Sequence, residues 1–273
     1  MKKNQILALT ESAVMIALAT VLSIIKIIDM PYGGSVTPAA MLPIAIIAYR
    51  HGAKYGIGAA LTASLLQLLL GLENFSYVTG WVSYIALSVF DYVIAYAGFG
   101  LAGVFKRKIE SQSLSLAAGI TLSNVIRYLC HVIAGATVWA GLPIPDGAAL
   151  IYSVSYNATY MIPETIISAL VAIYIGSVVD FRVKTPTRMH REKLHKTAFY
   201  CYTAAGITAL AGLICDTALV FSKLQDAESG EFSFAGLASV NWLAFGIVTA
   251  SCALVFSAIL IAVKLINDKK SAT

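Results

Sequence analysis

The sequence predicts an all-α integral membrane protein, a six-helix bundle followed by two more transmembrane helices. Three observations carry this. Apolar residues fill 59% of the 273 positions and charged residues only 12%, against about 45–50% and about 25% in soluble domains. The mean hydropathy is +0.80. Apolar runs recur at 6–28, 38–49, 53–71, 81–105, 114–140, 149–179, 197–222 and 237–266, most of them near the ~20 residues that cross a bilayer.

The first run, Ile6 to Ile28, follows Lys2 and Lys3. It is too long for the roughly 7–15-residue core of a signal peptide, and no small-residue cleavage site follows it, so it reads as a permanent span. The second run is short for a span and is expected to tilt or to pair closely with the third. The remaining runs alternate across the membrane. With the N-terminus in the cytoplasm, 16 of the 19 basic residues fall on the inner side, leaving Lys26, Arg127 and Lys223 as exceptions. The outer segments carry Asp29, Glu73, Asp146, Asp226, Glu228 and Glu231. An odd number of spans before residue 182 breaks this pattern, so six spans precede it and both termini are expected in the cytoplasm. The net charge of +5 is thereby topogenic, and nucleic acid is not expected as a partner.

The domain organisation follows from the same runs: a six-helix membrane domain over 1–180, a basic cytoplasmic linker over 181–196, and a two-helix transmembrane hairpin over 197–273. Cys130, Cys201, Cys215 and Cys252 stand alone in apolar segments, without CxxC or metal-ligand spacing, and read as small buried hydrophobes. No metal or cofactor is expected.

Ionisable groups inside spans are costly and mark functional sites. Here they are Glu11, Asp91, Arg127, His131, Glu164 and Asp216, with Asn157 as an amide. At 1.5 Å per residue, Asp91, His131 and Asn157 lie about 15, 13 and 12 Å from the outer ends of their helices. Three polar groups from three helices thus reach one level. Arg127, His131, Gly135 and Trp139 recur every four residues and share a helix face; Gly135 leaves room for a flat ring. The sixth span offers Tyr152, Tyr156 and Tyr160 at the same spacing. An anion, an imidazole, an amide and aromatic rings suit a cationic, partly aromatic ligand. Plainer readings stand beside this one. Asp91 pairs with Arg127 to lock helices, His131 packs between them, and Trp81, Trp139 and Tyr152 belong to the interfacial aromatic belt. Glu11 lies near the inner surface, Glu164 follows Pro163 at a kink, and Asp216 has no evident partner.

The runs PYGGSVTPAAMLPI at 31–44, FDYVIAY around Asp91–Tyr92, RYLCHVIAGATVW at 127–139 and YSVSYNATYMIP at 152–163 resemble the thiamine-specific S-components (the ThiT/YuaJ family) of energy-coupling factor transporters. The resemblance covers about Leu7 to Ile175. It implies a six-helix subunit in the cell membrane that captures thiamine from outside. It further implies partnership with a coupling subunit (EcfT) and two ATP-binding subunits. By motif, Asp91 would bond the ligand's aminopyrimidine and Tyr92 would line the same region. His131 and Trp139 would flank the thiazolium, Gly135 would leave the space and Arg127 would support from below. Tyr152 and Asn157 would contact the ring system, with Tyr32 and Trp81 as lid or rim. Ala13 and Ala17, four apart on the first helix, would dock the coupling subunit.

No GxxxxGK[ST] loop occurs, so ATP would be hydrolysed by another chain. Three other functions remain open. One is an S-component for another cationic or aromatic vitamin or precursor. A second is a self-sufficient secondary transporter, although neither related halves nor broken helices are visible. The third is an intramembrane enzyme, disfavoured by a single in-span His and the absence of HExxH.

Overall fold

The computed structural model describes residues 3–78, 80–140, 149–189, 196–224 and 234–271. The chain forms two compact units, Met1–Met189 and His190–Thr273. In the first, α1 (Lys3–Ile24), α2 (Leu42–His51), α3 (Ala53–Leu70), α4 (Trp81–Leu101), α5 (Gln112–Ala140) and α6 (Ala149–Val178) follow in order. In the second, α7 (Lys196–Leu224) packs on α8 (Trp242–Ser271). Seven helices among the described residues are long and apolar enough to cross a membrane; α2 is too short. Parts of the expected linker (190–195), the segment 225–233 and the segment 141–148 lie outside the described residues.

The second crossing departs from the expected helix over 38–49. After α1, strands β1 (Ile28–Asp29) and β2 (Ser35–Val36) form a small antiparallel hairpin. Its turn places Tyr32 at φ 64° and Gly33 at φ 90°, closed by Met30 N–H donating to the Gly34 carbonyl at 2.8 Å. The chain then descends without helix, through Ala39 at φ 57°, until α2 begins at Leu42. Ten residues of helix span only about 15 Å, so half of this crossing is unwound. A broken crossing is therefore present, contrary to the hydropathy reading. A continuous apolar run conceals it because unwound backbone can be apolar too when neighbouring side chains satisfy it. Here α6 does so: the Tyr156 hydroxyl accepts Gly34 N–H at 3.0 Å and the Glu164 carboxylate accepts Thr37 N–H at 2.6 Å. The crossing lies in the bundle core, with Leu42 through Tyr49 all buried.

Small residues let the surrounding backbones close on α2. A Cβ on Gly56 of α3 would sit 2.6 Å from the Ala48 Cβ and 2.8 Å from the Gly100 carbonyl of α4. At this end of the bundle, Arg50 ties three segments together. Its guanidinium donates to Glu11 of α1 at 2.7 and 2.8 Å and to the carbonyls of Phe181, Val183 and Lys184 at 3.0, 3.2 and 3.1 Å. His51 also meets Glu11 at 2.6 Å. The Gln112 amide of α5 donates to the Gly176 and Val179 carbonyls at 2.8 and 2.7 Å, satisfying groups that the end of α6 leaves open.

In the second unit α7 and α8 touch where Gly212 faces Cys252. One turn on, Thr249 Oγ1 meets Asp216 Oδ2 at 2.6 Å, so Asp216 does have a partner, a hydroxyl on the next helix that sequence spacing could not pair with it. Of the cysteines, Cys130 is buried and Cys201 and Cys252 are half-buried, but Cys215 is exposed on α7, since most of the described α7 surface is not covered within its own unit.

Arg50→Met removes the guanidinium from a pair in which its side chain is only 4% exposed. We expect a loss of about 3 kcal/mol, because Glu11 loses its guanidinium partner, with His51 left beside it, and the carbonyls of Phe181, Val183 and Lys184 lose their donor. Thermal unfolding in detergent measures it, and a melting temperature equal to the parent's would contradict this role.

Candidate ligand site

Residues at the C-terminal ends of α1 and α3, in the middle of α4, in the C-terminal half of α5 and in the N-terminal half of α6 enclose a cavity of about 300 Å³. The β1–β2 hairpin and a 3₁₀ segment at Leu72–Tyr77 border its mouth. Asp91, His131 and Arg127 form a hydrogen-bonded series in its wall. Asp91 sits in a π-helical stretch of α4, Leu87–Ile94, a local widening that often re-aims a side chain at a functional site. His131 Nδ1 bonds Asp91 Oδ1 in a short hydrogen bond. Arg127 Nε donates to His131 Nε2 at 2.9 Å. A guanidinium can only donate, so His131 Nε2 accepts and the ring proton sits on Nδ1, pointing at Asp91. The result is a relay of fixed tautomer, Arg127 to His131 to Asp91. Arg127 also lies over the Tyr96 ring, 4.9 Å from its centroid. The Asp91 side chain keeps 24% exposure whereas His131 keeps 6%, so the carboxylate is the more open end of this bonded pair.

Asn157 of α6 lines the same space but its amide is already engaged. Nδ2 donates to the Ser153 and His131 carbonyls at 2.8 and 3.3 Å, and Oδ1 accepts the Tyr160 hydroxyl at 2.5 Å. Tyr92 forms wall: its ring stacks on Tyr96 at 6.4 Å and on Phe75 at 6.3 Å. Its hydroxyl accepts from Asn74 at 2.9 Å and donates to the Gly71 carbonyl at 3.1 Å, which pins the outer 3₁₀ segment. Tyr32 stands at the mouth, edge-on to Tyr77 at 5.2 Å and to Tyr156 at 6.3 Å.

The structure thus brings Asp91, Tyr92, Arg127, His131, Gly135, Asn157 and Tyr32 around one cavity. Three expectations change. Gly135 borders the cavity, yet the space its missing side chain leaves is taken by α6, since a Cβ there would collide with Ser153 Oγ and come within 3.3 Å of Asn157 Nδ2. Its glycine serves helix approach before it serves a ring. Tyr152 is half-buried and not among the described lining residues; Tyr156 and Tyr160, one and two turns deeper on the same stripe, take that place. Trp81, the first residue of α4, is 76% exposed and is not among the described residues lining the cavity. The Trp139 side chain lies outside the described residues. Sequence reasoning missed Tyr96 and Asn74, although Tyr96 follows Tyr92 by four positions and so shares its helix face. It also undervalued Glu164, whose partner Thr37 is 127 positions away. Ala13 and Ala17 are exposed on α1 beside Val14 and Leu18.

The profile of the thiamine transporter protein family (Thia_YuaJ) matches residues 9–182. The chain belongs to this family. Its members are transporters, not enzymes. The chain is 34% identical over 182 residues to the thiamine transporter ThiT of Bacillus subtilis strain 168, covering 62% of this chain and 90% of that one. It is 26% identical over 185 residues to the thiamine transporter ThiT of Lacticaseibacillus paracasei, covering 62% and 86%. The solved structure of ThiT from Listeria monocytogenes superposes with a TM-score of 0.52 at 23% identity, over 63% of this chain and 94% of that one. This likeness shows a common all-helical membrane fold. The family match ends at residue 182, so α7 and α8 lie beyond it.

Gly135→Ala drives a methyl group into Ser153 and parts α5 from α6. Overpacking of this kind costs about 1–3 kcal/mol. A lowered melting temperature of the purified variant is the expected result; equal stability would mean that the helices have slack at this crossing.

Proposed function

We propose that this chain is the substrate-binding subunit of a thiamine importer. The observation that carries the reading is the Asp91 carboxylate, held by the Arg127–His131 relay and facing a cavity walled by Tyr92, Tyr96, Tyr156 and Tyr160. A carboxylate among ring faces, shielded from bulk water, favours a cationic heterocycle. The cavity volume falls at the small end of the range for small-ligand sites. The curated relatives are named thiamine transporters, which selects thiamine among cations of that kind. In this reading Asp91 takes the aminopyrimidine, Tyr92 and Arg127 build and brace the wall, His131 and Trp139 flank the thiazolium, and Gly135 and Asn157 hold α6 against it. Tyr152 and Trp81 are peripheral, and Tyr32 covers the mouth.

Residues 1–180 form the binding domain, 181–196 a basic cytoplasmic linker and 197–273 an accessory hairpin in the same cell membrane. Both termini face the cytoplasm, as the distribution of Lys and Arg requires. Energy comes from a separate coupling module of EcfT and two ATP-binding subunits, docked on the exposed Ala13–Ala17 face of α1, where small side chains admit a close helix.

Calorimetric titration of the purified protein with thiamine should give saturable binding. Asp91→Asn and His131→Ala should each weaken it by about 1 kcal/mol or more, roughly fivefold, because each leaves a buried partner unmatched. Unaltered affinity in both variants would remove the assigned site. Ala13→Leu combined with Ala17→Leu should leave binding intact and abolish uptake in cells that supply the coupling module. Uptake by vesicles holding this chain alone would instead identify a self-sufficient carrier.

A further inference from the structure

We infer that Glu164 is a positioning residue that sets the charge the cavity accepts without touching its contents; this rests on the thiamine reading above and deepens it. Glu164 is 2% exposed and is not among the described residues lining the cavity. It lies seven residues, about 10 Å, beyond Asn157 along α6.

Its first action is through Thr37. The Thr37 N–H donates to Oε2 at 2.6 Å and the Thr37 hydroxyl donates to Oε1 at 2.8 Å. Ala40 N–H donates to that hydroxyl oxygen at 3.3 Å, which leaves the hydroxyl's own hydrogen free to point at Glu164. Both carboxyl oxygens are then placed to accept, an arrangement suited to a carboxylate, and an ionised Glu164 is the premise of the electrostatic step. Thr37 follows Gly34 and Ser35, which line the cavity. Gripping Thr37 fixes where that wall stands.

Its second action is electrostatic. Around the cavity the described interior charges are Asp91, Glu164 and Arg127, with His131 neutral because Nε2 accepts from Arg127. Two anions against one cation leave a single negative charge in excess. Glu11 and Arg50 balance each other at the opposite end. At the mouth, Lys26 pairs with Asp29 at 2.9 Å and Glu73 is exposed to solvent. An uncompensated interior charge is expensive, and a monocation in the cavity cancels it. Without Glu164 the interior is already neutral and that preference falls.

The test compares two ligands by calorimetry: thiamine, and an isostere in which an uncharged aromatic ring replaces the thiazolium. Glu164→Gln should weaken thiamine roughly tenfold, the effect of one unit charge about 10 Å away at an effective dielectric near 20. The isostere should lose far less. Glu164→Asp keeps the charge, so both ligands weaken together and their affinity ratio stays at the parent's value. Equal loss of both ligands in Glu164→Gln, or no loss, overturns the inference while the thiamine reading stands. A ratio shifted by Glu164→Asp, the variant to rely on if the Gln form does not fold, overturns it likewise. Absence of thiamine binding by the unaltered protein brings down the reading and the inference together.

Discussion

The fold depends on one constraint: inside a bilayer, unwound backbone must find its hydrogen-bond partners within the protein. The descent from Ser35 to Met41 leaves amides that a helix would have satisfied, and each one left bare costs several kcal/mol. Tyr156 and Glu164 remove that cost from the side of α6. The cavity follows directly. A full second helix would bring side chains all round into the space that the hairpin and the unwound segment leave open. The break in α2 and the hollow beside it are two aspects of one arrangement, and α6 makes both tolerable. Ala39 at φ 57° marks where the strain falls, since a non-glycine residue pays about 1–2 kcal/mol to sit there.

The same economy governs the charged wall. Asp91 alone in the bundle would be driven to take up a proton or to find a cation. Linking it to Arg127 through a neutral imidazole places opposite charges on either side of a ring and leaves Asp91 partly open to the cavity. Direct pairing of Asp91 with Arg127, which the sequence permits, would have consumed the carboxylate. The π-helical stretch of α4 is what allows the difference, because it shifts the phase of Asp91 relative to the helix on either side. Arg127 is in turn held against Tyr96, so the aromatic column of α4 positions the guanidinium as well as forming wall.

Much of this was legible in the sequence, and the reasons for what was not are physical. Hydropathy located the six helices of the first unit, since bilayer thickness acts on local sequence alone. Helix rise placed Asp91, His131 and Asn157 at one depth, and they do share a cavity. Period-four spacing selected the right face of α5 and the right stripe of α6, but it could not choose between Tyr152, Tyr156 and Tyr160. That choice depends on where the hairpin of the second crossing reaches, which is a tertiary fact. Gly135 is the converse case: the residue was recognised, but its neighbour is Ser153 of α6, and no spacing within α5 reports that. Asp216 showed no evident partner and Glu164 read only as a residue beside a kink, because Thr249 and Thr37 are hydroxyl residues on other segments, without charge to advertise the pairing.

The attachments around the cavity are graded in strength from base to mouth. At the base, Thr37 is held by a carboxylate through two charge-assisted hydrogen bonds, each about twice as strong as a neutral one. Midway, Gly34 is held by two neutral bonds, its N–H donating to Tyr156 and its carbonyl accepting from Met30. At the mouth, Tyr32 rests on Tyr77 and Tyr156 by ring edges, contacts of about 0.5–1.5 kcal/mol each, on a hairpin of only two paired residues per strand. Glycine at position 33, where φ is 90°, adds no steric barrier to reorienting this tip. The charge-assisted pair at Thr37 is therefore the firmest of these attachments, and it lies at the foot of the wall, on the far side of the hairpin from its tip.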